Sequence, residues 1–371
     1  MNRITPQDTV FLKTALRLAK KGLGWTFPNP MVGAVVVKRG KMIGQGYHRR
    51  AGLPHAEIEA LRATVGSARG ATLYVNLEPC SHYGRTPPCV DAIVKAGISK
   101  VVCCTPDPNP KVCGTAIKRL RQAGINVSVG GLAEEAESLN EAFFAFHHQH
   151  RPFIAIKFAA SLDGKIATSS HDSHWITNEQ ARNFARNLRR QYQAVLVGIN
   201  TILRDNPHLG VRAPGKPDPL RIVLDSTLRI PLTSRILRDK NVLIITTQRA
   251  SRAKYKHLTR RGVPLVVCPG GVIRLRKVMA ELVKREIISV FVEGGGSVLG
   301  SFVDAGLVDK VYAFYAPVLI GGKSAVSAVG GEGASTLRRS LRLTNVHHRT
   351  FGDNILVTAS ATSRKIERIN S

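Results

Sequence analysis

The stretch Leu77-Glu78-Pro79-Cys80-Ser81-His82-Tyr83-Gly84-Arg85-Thr86-Pro87-Pro88-Cys89, read with Pro54-His55-Ala56-Glu57 upstream, decides the first half of this 371-residue chain. One imidazole (His55) and two thiolates (Cys80 and Cys89) are three zinc donors of the usual kind, and they leave the fourth tetrahedral position for water. Zinc lowers the pKa of such a water toward ~7. A helix expected over 55–63 carries Glu57 two residues beyond the histidine, where its carboxylate can reach the water without ligating the metal. Cys80 follows a strand expected at 71–77, and Cys89 opens a helix expected over 88–96.

His-x-Glu with Pro-Cys-x-x-Cys is the spacing of zinc deaminases, in which the glutamate moves protons between water and the leaving amine. Here eight residues, Ser81–Pro88, separate the cysteines instead of two. A loop that folds back over the metal, its return stiffened by Pro87 and Pro88, keeps both thiolates as ligands. An isolated His or Cys is more often an ordinary core or surface residue, and Cys103, Cys104, Cys113 and Cys268 are read as small buried hydrophobes. Six cysteines in a chain of this length suit reduced thiols and a cytoplasmic location better than a disulfide framework.

Working outward, the N-terminal MNRITPQDTVFLKTALRLAKKG reads as an amphipathic helix rather than a signal peptide. Phe11, Ala15 and Leu18 recur at helical spacing, while Lys13, Arg17 and Lys20 interrupt any apolar core. A hairpin is expected from 31–37 and 42–47 around Lys38–Lys41. Strands at 100–104 and 125–129 and helices at 115–122 and 134–146 complete an α/β domain. The polar run His147-His148-Gln149-His150-Arg151-Pro152 then marks a boundary, dividing the chain into domains 1–148 and 149–371. Beyond it, strands are expected at 153–160, 193–198, 220–224, 241–246, 263–267, 287–293 and 309–316, with two more near 341–347 and 354–360. Helices are expected at 178–190, 274–285 and 297–305. Apolar runs such as VLIIT and IISVFVE imply a sheet buried on both faces, hence mostly parallel.

No run of about 18 apolar residues occurs, so no transmembrane helix and no membrane partner are expected. The net charge is +29. It is spread over both halves, with 19 Lys and Arg against 10 Asp and Glu in residues 1–150, and 35 against 15 in the rest. Aromatic residues are only 6% and form no stripe interleaved with basic ones. The charge therefore reads as a surface biased toward small anionic substrates, with no nucleic acid expected. The rival reading is a polynucleotide deaminase with an RNA-binding extension.

The inter-cysteine loop resembles that of the bifunctional riboflavin-biosynthesis deaminase/reductase family. Supporting strings are Pro28-Asn29-Pro30-Met31-Val32-Gly33, Gly46-Tyr47-His48 with Ala51-Gly52, and Asp107-Pro108-Asn109-Pro110. In the second half, Ala159–Lys165, Ser173–Thr177, Ala194–Gly198, Thr201–Pro207, Arg221–Ser226 and Val292–Ser297 resemble the family's reductase in order. The resemblance implies an N-terminal cytidine-deaminase-like α/β sandwich and a C-terminal dihydrofolate-reductase-like α/β domain. It implies Zn2+ and NADPH as cofactors, a phosphorylated pyrimidine as small-molecule substrate, and a homo-oligomer. The activities implied are deamination of 2,5-diamino-6-(5-phosphoribosylamino)pyrimidin-4-one to 5-amino-6-(5-phosphoribosylamino)uracil, then reduction of the ribosyl to the ribityl chain.

By the same resemblance, Asn29, His48, His82, Arg85, Asp107 and Asn109 line the deaminase pocket. NADPH would contact Ala159, Trp175, Thr201, Asp205, Ser226 and the run Gly295, Gly296, Ser297, Val298, Leu299, Gly300 and Ser301. The substrate's ribose phosphate would meet Ser173, Arg189, Leu209, Arg212 and Glu293. The glycine run has a physical logic of its own, because backbone N–H groups at a helix start bind phosphate and glycine permits close approach. It lacks the G-x-G-x-x-G spacing, which disfavours a Rossmann domain.

Overall fold

The computed structural model describes residues 4–84, 86–110 and 112–362. The chain divides into two compact units, Met1–Arg151 and Pro152–Ser371. Residue 148 lies inside the helix Glu141–Gln149. The histidine run continues that helix because His147 and His148 meet Phe143 and Phe144 one turn back, with ring centroids 4.6 and 6.2 Å apart.

Unit 1 holds a five-stranded sheet of β1 (Gly33–Lys38), β2 (Lys41–Tyr47), β3 (Thr72–Val75), β4 (Lys100–Cys103) and β5 (Asn126–Val129), in the order β2-β1-β3-β4-β5. The hairpin end is antiparallel, and β3, β4 and β5 run parallel. Alternate residues serve opposite faces, as the two-residue period of a strand requires. Ala34, Val36, Leu73 and Val101 join Ala56, Ala60, Cys89 and Ile93 in one core. Val35, Val37, Tyr74 and Val102 join Leu12, Ala15 and Leu16 of the helix Pro6–Ala19 in the other. Both faces are therefore covered by helices. The single helix expected over 134–146 is broken into Ala133–Leu139 and Glu141–Gln149. The break falls at Asn140, whose Oδ1 accepts from the Met31 N–H (2.8 Å) while its Nδ2 donates to the Met31 carbonyl (3.0 Å).

Asp8 ties the first helix to the sheet. It closes a capping box with Thr5, accepts from Tyr74 Oη at 2.8 Å and pairs with Lys100 Nζ at 3.2 Å. Burial alone would raise its pKa. The hydrogen bonds from Thr5, Tyr74 and Lys100 outweigh that and hold it at about 2. A depressed carboxyl stabilises the fold above its unfolded pKa, and that stability is lost as pH falls through the folded one. Asp8 is thus expected to contribute about 2 kcal/mol at neutral pH, disappearing between about pH 4 and pH 2. Acid titration of unit 1 unfolding in Asp8→Asn should lack that component; an unchanged acid limb would refute it.

Unit 2 is built on β6 (Phe153–Ser161), β7 (Lys165–Ala167), β8 (Ala194–Gly198), β9 (Leu220–Leu224), β10 (Val242–Thr247), β11 (Leu265–Cys268), β12 (Ser289–Gly294), β13 (Lys310–Ala316), β14 (Val326–Ser327), β15 (Leu343–Phe351) and β16 (Asn354–Ala361). Nine of them form one sheet, β11-β10-β9-β8-β12-β6-β13-β16-β15. It is parallel from β11 to β13 and antiparallel only through β16 and β15. Strands β7 and β14 pair with each other; at three and two residues they are too short for periodicity to register. The helices Ile199–Asp205 and Arg252–Arg260 were also not expected. The first has seven residues and follows directly from a strand, and the second buries only Leu258, so neither shows a wide apolar stripe.

β12 inserts between β8 and β6, while the chain leaves β8 toward β9 on the other side. The carboxyl ends of β8 and β12 therefore flank a topological switch point, the place where open parallel sheets bind ligands. Gly198 ends β8 there, and a Cβ on it would lie 2.8 Å from Val298 Cγ2. Among the described residues, no helix is long and apolar enough to cross a membrane. Cys103, Cys104 and Cys268 are buried as expected, but Cys113 is exposed, because it lies in the irregular stretch before the helix Thr115–Gln122.

Candidate functional site

In unit 1, β3 delivers the segment carrying Cys80, Cys89 begins the helix Cys89–Lys95, and His55 precedes the helix Ala56–Arg62 as its N-cap. Their donor atoms all lie within 4.8 Å of one another. His55 Nδ1 is 3.4 Å from Cys80 Sγ and 3.3 Å from Cys89 Sγ. A tetrahedral zinc with bonds of about 2.0 Å to nitrogen and about 2.3 Å to sulfur needs roughly 3.5 Å along such an edge. The three residues therefore fit the metal. The thiols are already polarised: the hydrogen bond with Cys89 pulls Cys80 down to about 4, and the same bond pushes Cys89 up. His55 is raised, chiefly by its hydrogen bond with Cys80.

Glu57 sits in the first turn of the helix Ala56–Arg62 and is buried. Burial pushes its carboxyl up to about 7. Its Oε2 is buried with no hydrogen-bond partner. An unsatisfied buried carboxylate oxygen is costly and calls for an explanation. Beside three zinc donors, it suits a group that takes and returns a proton.

Of the other residues expected around this centre, Asn29 and His48 come together, with Asn29 Nδ2 3.1 Å from His48 Nε2. The buried His48 ring meets His55 edge-on, centroids 5.1 Å apart, and its Nδ1 lies 3.2 Å from the Pro54 carbonyl. Burial lowers its pKa. Asp107 is buried and accepts from the Asn109 N–H at 2.8 Å; burial raises its carboxyl to about 6. His82 is exposed in the inter-cysteine loop. Arg85 lies outside the described residues.

Sequence reasoning missed two residues here. Glu78, quoted only as a neighbour of Cys80, accepts four backbone N–H groups: Asp107 at 3.2 Å, Gly114 at 2.9 Å, Ala116 at 3.1 Å and Ile117 at 3.2 Å. It fastens the Asp107 turn and the helix Thr115–Gln122 to the segment that carries Cys80. The signal in the sequence was a carboxylate three residues beyond an apolar strand and beside Pro79, where a buried charge demands partners. Thr86, in the same loop as Arg85, places its Oγ1 3.3 Å from His55 Nε2.

In unit 2, several expected cofactor contacts gather along the carboxyl edge of adjacent parallel strands. Ala159 lies in β6; Thr201 follows β8, Ser226 follows β9 and Gly295 follows β12. The helix Gly296–Asp304 starts at the glycine run and carries Gly296, Ser297, Val298, Leu299, Gly300 and Ser301. A Cβ on Gly300 would come within 2.1 Å of the Gly330 carbonyl oxygen. Packing against the 330 loop already requires glycine at that position. Trp175 is exposed, with the Arg182 guanidinium over its ring at 4.4 Å, and Asp205 is exposed at the end of the helix Ile199–Asp205.

The residues expected at the substrate divide. Arg189 and Glu293 form a largely buried ion pair, each side chain 11% exposed: Arg189 Nε contacts Glu293 Oε1 and Arg189 Nη2 donates to Glu293 Oε2 at 3.0 Å. Arg189 Nη1 also donates to the Gly210 carbonyl at 2.8 Å, which ties in the loop holding the buried Leu209 and the exposed Arg212. Arg212 is lowered by burial and by the charges of Arg186, Arg189 and Arg235, a cluster of like charge that suits a multivalent anion. Ser173 is half-buried in the loop before Thr177. Lys157 of β6 was not singled out in the sequence. Burial lowers its pKa against the pull of Glu293, and Arg189 lowers it further. Burial would raise Glu293, but the Arg189 charge and hydrogen bonds, with Lys157, more than offset that.

Residues 5–105 match the family described as the cytidine and deoxycytidylate deaminase zinc-binding region, and residues 152–357 match the RibD C-terminal domain. The chain is 44% identical over 352 residues to the riboflavin biosynthesis protein RibD of Aquifex aeolicus, covering 94% of this chain and 97% of that protein. It is 42% identical over 328 residues to Escherichia coli RibD, covering 85% and 89%. The solved structure of Acinetobacter baumannii RibD superposes with a TM-score of 0.88 at 37% identity, covering 96% of this chain and 99% of that one.

Proposed function

The chain belongs to the RibD family of riboflavin biosynthesis, a bifunctional deaminase and reductase using zinc and NADPH, and from that premise we propose which of its residues perform each step. With a reductase domain matched over 152–357, the rival RNA-binding extension has no support. Domain boundaries are proposed at 148/149, with the compact units meeting three residues further on, between Arg151 and Pro152.

The observation that carries the deaminase assignment is the unpartnered, buried Oε2 of Glu57 beside the His55–Cys80–Cys89 donor set. His55, Cys80 and Cys89 would hold the zinc ion, which would supply an activated water for attack at the ring carbon bearing the 2-amino group of the diaminopyrimidinone phosphate. Glu57 carries two protons in turn at Oε2, the first from the attacking water to the ring nitrogen and the second from the added hydroxyl to the amino group, which leaves as ammonia. Its raised pKa suits both transfers near neutral pH. Asn29, His48, Asp107 and Asn109 orient the pyrimidine, and His82 and Arg85 belong to the loop over it.

In unit 2, bound NADPH would supply the hydride for C1′ of the ribosyl group. The proposed cofactor contacts are Ala159, Trp175, Thr201, Asp205, Ser226 and Gly295–Ser301. Thr201, Ser226 and Gly295 follow the adjacent strands β8, β9 and β12, and Ala159 lies near the end of the neighbouring β6, which supports the placement. Arg212, among Arg186, Arg189 and Arg235, meets the phosphate, while Ser173, Leu209 and Glu293 bound the ribose. Glu293 keeps Lys157 and Arg189 close to the reacting carbon, and Lys157 can donate a hydrogen bond to the ribose oxygen as the ring opens.

We infer a cytoplasmic homo-oligomer with no nucleic-acid partner. The exposed edge strand β15, with eight of its nine residues exposed, supports association with another copy. The decisive experiment offers the purified protein the diaminopyrimidinone phosphate. Ammonia release should need zinc but no NADPH, and NADPH oxidation should follow it. A chelator that strips the metal should stop ammonia release and spare reduction of the aminouracil intermediate. Ammonia release that survives complete zinc removal would defeat the assignment.

A further inference from the structure

His55 has two ring nitrogens with different neighbours. Nδ1 faces both cysteine sulfurs, at 3.4 and 3.3 Å, whereas Nε2 points away from them and meets Thr86 Oγ1 at 3.3 Å. A metal takes a lone pair, so the nitrogen beside the sulfurs must be bare and the ring proton must sit on Nε2. There it needs an acceptor, and the Thr86 hydroxyl oxygen is placed to be one. We propose that Thr86 is a positioning residue of the metal centre, holding His55 in the tautomer and ring orientation that present Nδ1 to zinc. The proposal rests on reading His55, Cys80 and Cys89 as the zinc ligands.

The length of the inter-cysteine loop gains a reason from this contact. Thr86 is the sixth of the eight residues between Cys80 and Cys89, and it returns toward the histidine's far edge just before Pro87 and Pro88 lead into Cys89. A two-residue spacer has no residue free to travel that path. The loop's backbone supports the placement, since the Gly84 N–H donates to the Thr86 carbonyl at 3.2 Å. Partners on a ligand's second nitrogen commonly govern metal affinity as strongly as they govern activity.

The test compares zinc affinity of the full-length protein with that of Thr86→Val and Thr86→Ser, by competition with a chromophoric chelator. Valine keeps the side-chain shape and removes the acceptor; serine keeps the acceptor and removes a methyl group. Thr86→Val is expected to bind zinc about 10- to 100-fold more weakly. Thr86→Ser should stay close to wild type. With Co2+ in place of zinc, Thr86→Val should also shift the visible absorption of the site, a change that loss of loop packing alone would not make. Wild-type affinity in Thr86→Val overturns the proposal, as does Thr86→Ser binding as weakly as the valine variant. Wild-type zinc affinity in Cys80→Ala or Cys89→Ala overturns the ligand assignment instead.

Discussion

Glu57→Gln is expected to hold zinc at the wild-type level and lose ammonia release by about 10²- to 10⁴-fold, the usual worth of a positioned general acid–base. Glutamine keeps the size and one acceptor oxygen, so the buried first turn of the helix Ala56–Arg62 should be undisturbed. It cannot take up a proton, which is the step proposed for the unpartnered Oε2. The reductase provides an internal control in the same molecule. NADPH oxidation with supplied aminouracil intermediate should proceed at the wild-type rate, because every group assigned to that step lies in unit 2. Metal content measured alongside both rates separates loss of chemistry from loss of zinc. Full ammonia release by the variant would remove Glu57 from the reaction.

Arg189→Met is expected to be equally severe in the other half. It leaves the largely buried Glu293 carboxylate with the Lys157 charge to balance it and strips hydrogen bonds from both carboxylate oxygens. Removing one member of a buried ion pair costs about 3–5 kcal/mol, because the desolvated partner remains. The loop at Gly210 loses an anchor as well. Denaturant unfolding of unit 2 should therefore shift markedly, with reductase activity gone and ammonia release retained. Replacing both members, as in Arg189→Met with Glu293→Leu, should recover much of the stability and none of the reduction. Such recovery is expected because well-packed apolar residues often match a buried pair in stability. If the double variant were no more stable than the single one, the cost would lie elsewhere than in the unpaired carboxylate.

Much of this was legible in one dimension. The metal donors are short-range features: a histidine before a helix, a cysteine after a strand, a cysteine beginning a helix. Each element announces itself through periodicity or capping. The long apolar strands of unit 2 likewise announced a mostly parallel sheet, which is what forms between β11 and β13. The break at Asn140 was not legible, because the helical pattern runs through it. What stops the helix is an amide pairing with Met31, more than a hundred residues away in sequence. Lys157 escaped notice for a related reason. A lysine in an apolar strand carries no sign that Arg189 and Glu293 will share its surroundings.

The opening stretch shows the same division. By itself the sequence singled out His55, Cys80 and Cys89 as the proposed donor set, Glu57 two residues from the first of them, and the order of strands and helices around them. Those depend on residue chemistry and local spacing. Only the tertiary structure decided that His55 turns Nδ1 to the sulfurs and Nε2 to Thr86, and that Glu78 gathers four amides. The pairing of Arg189 with Glu293 at the switch point was decided at the same level. A hydrogen bond or a buried ion pair depends on placement to within a few tenths of an ångström. That placement follows from which strands become neighbours and how loops return across them, and no single segment of the chain contains it.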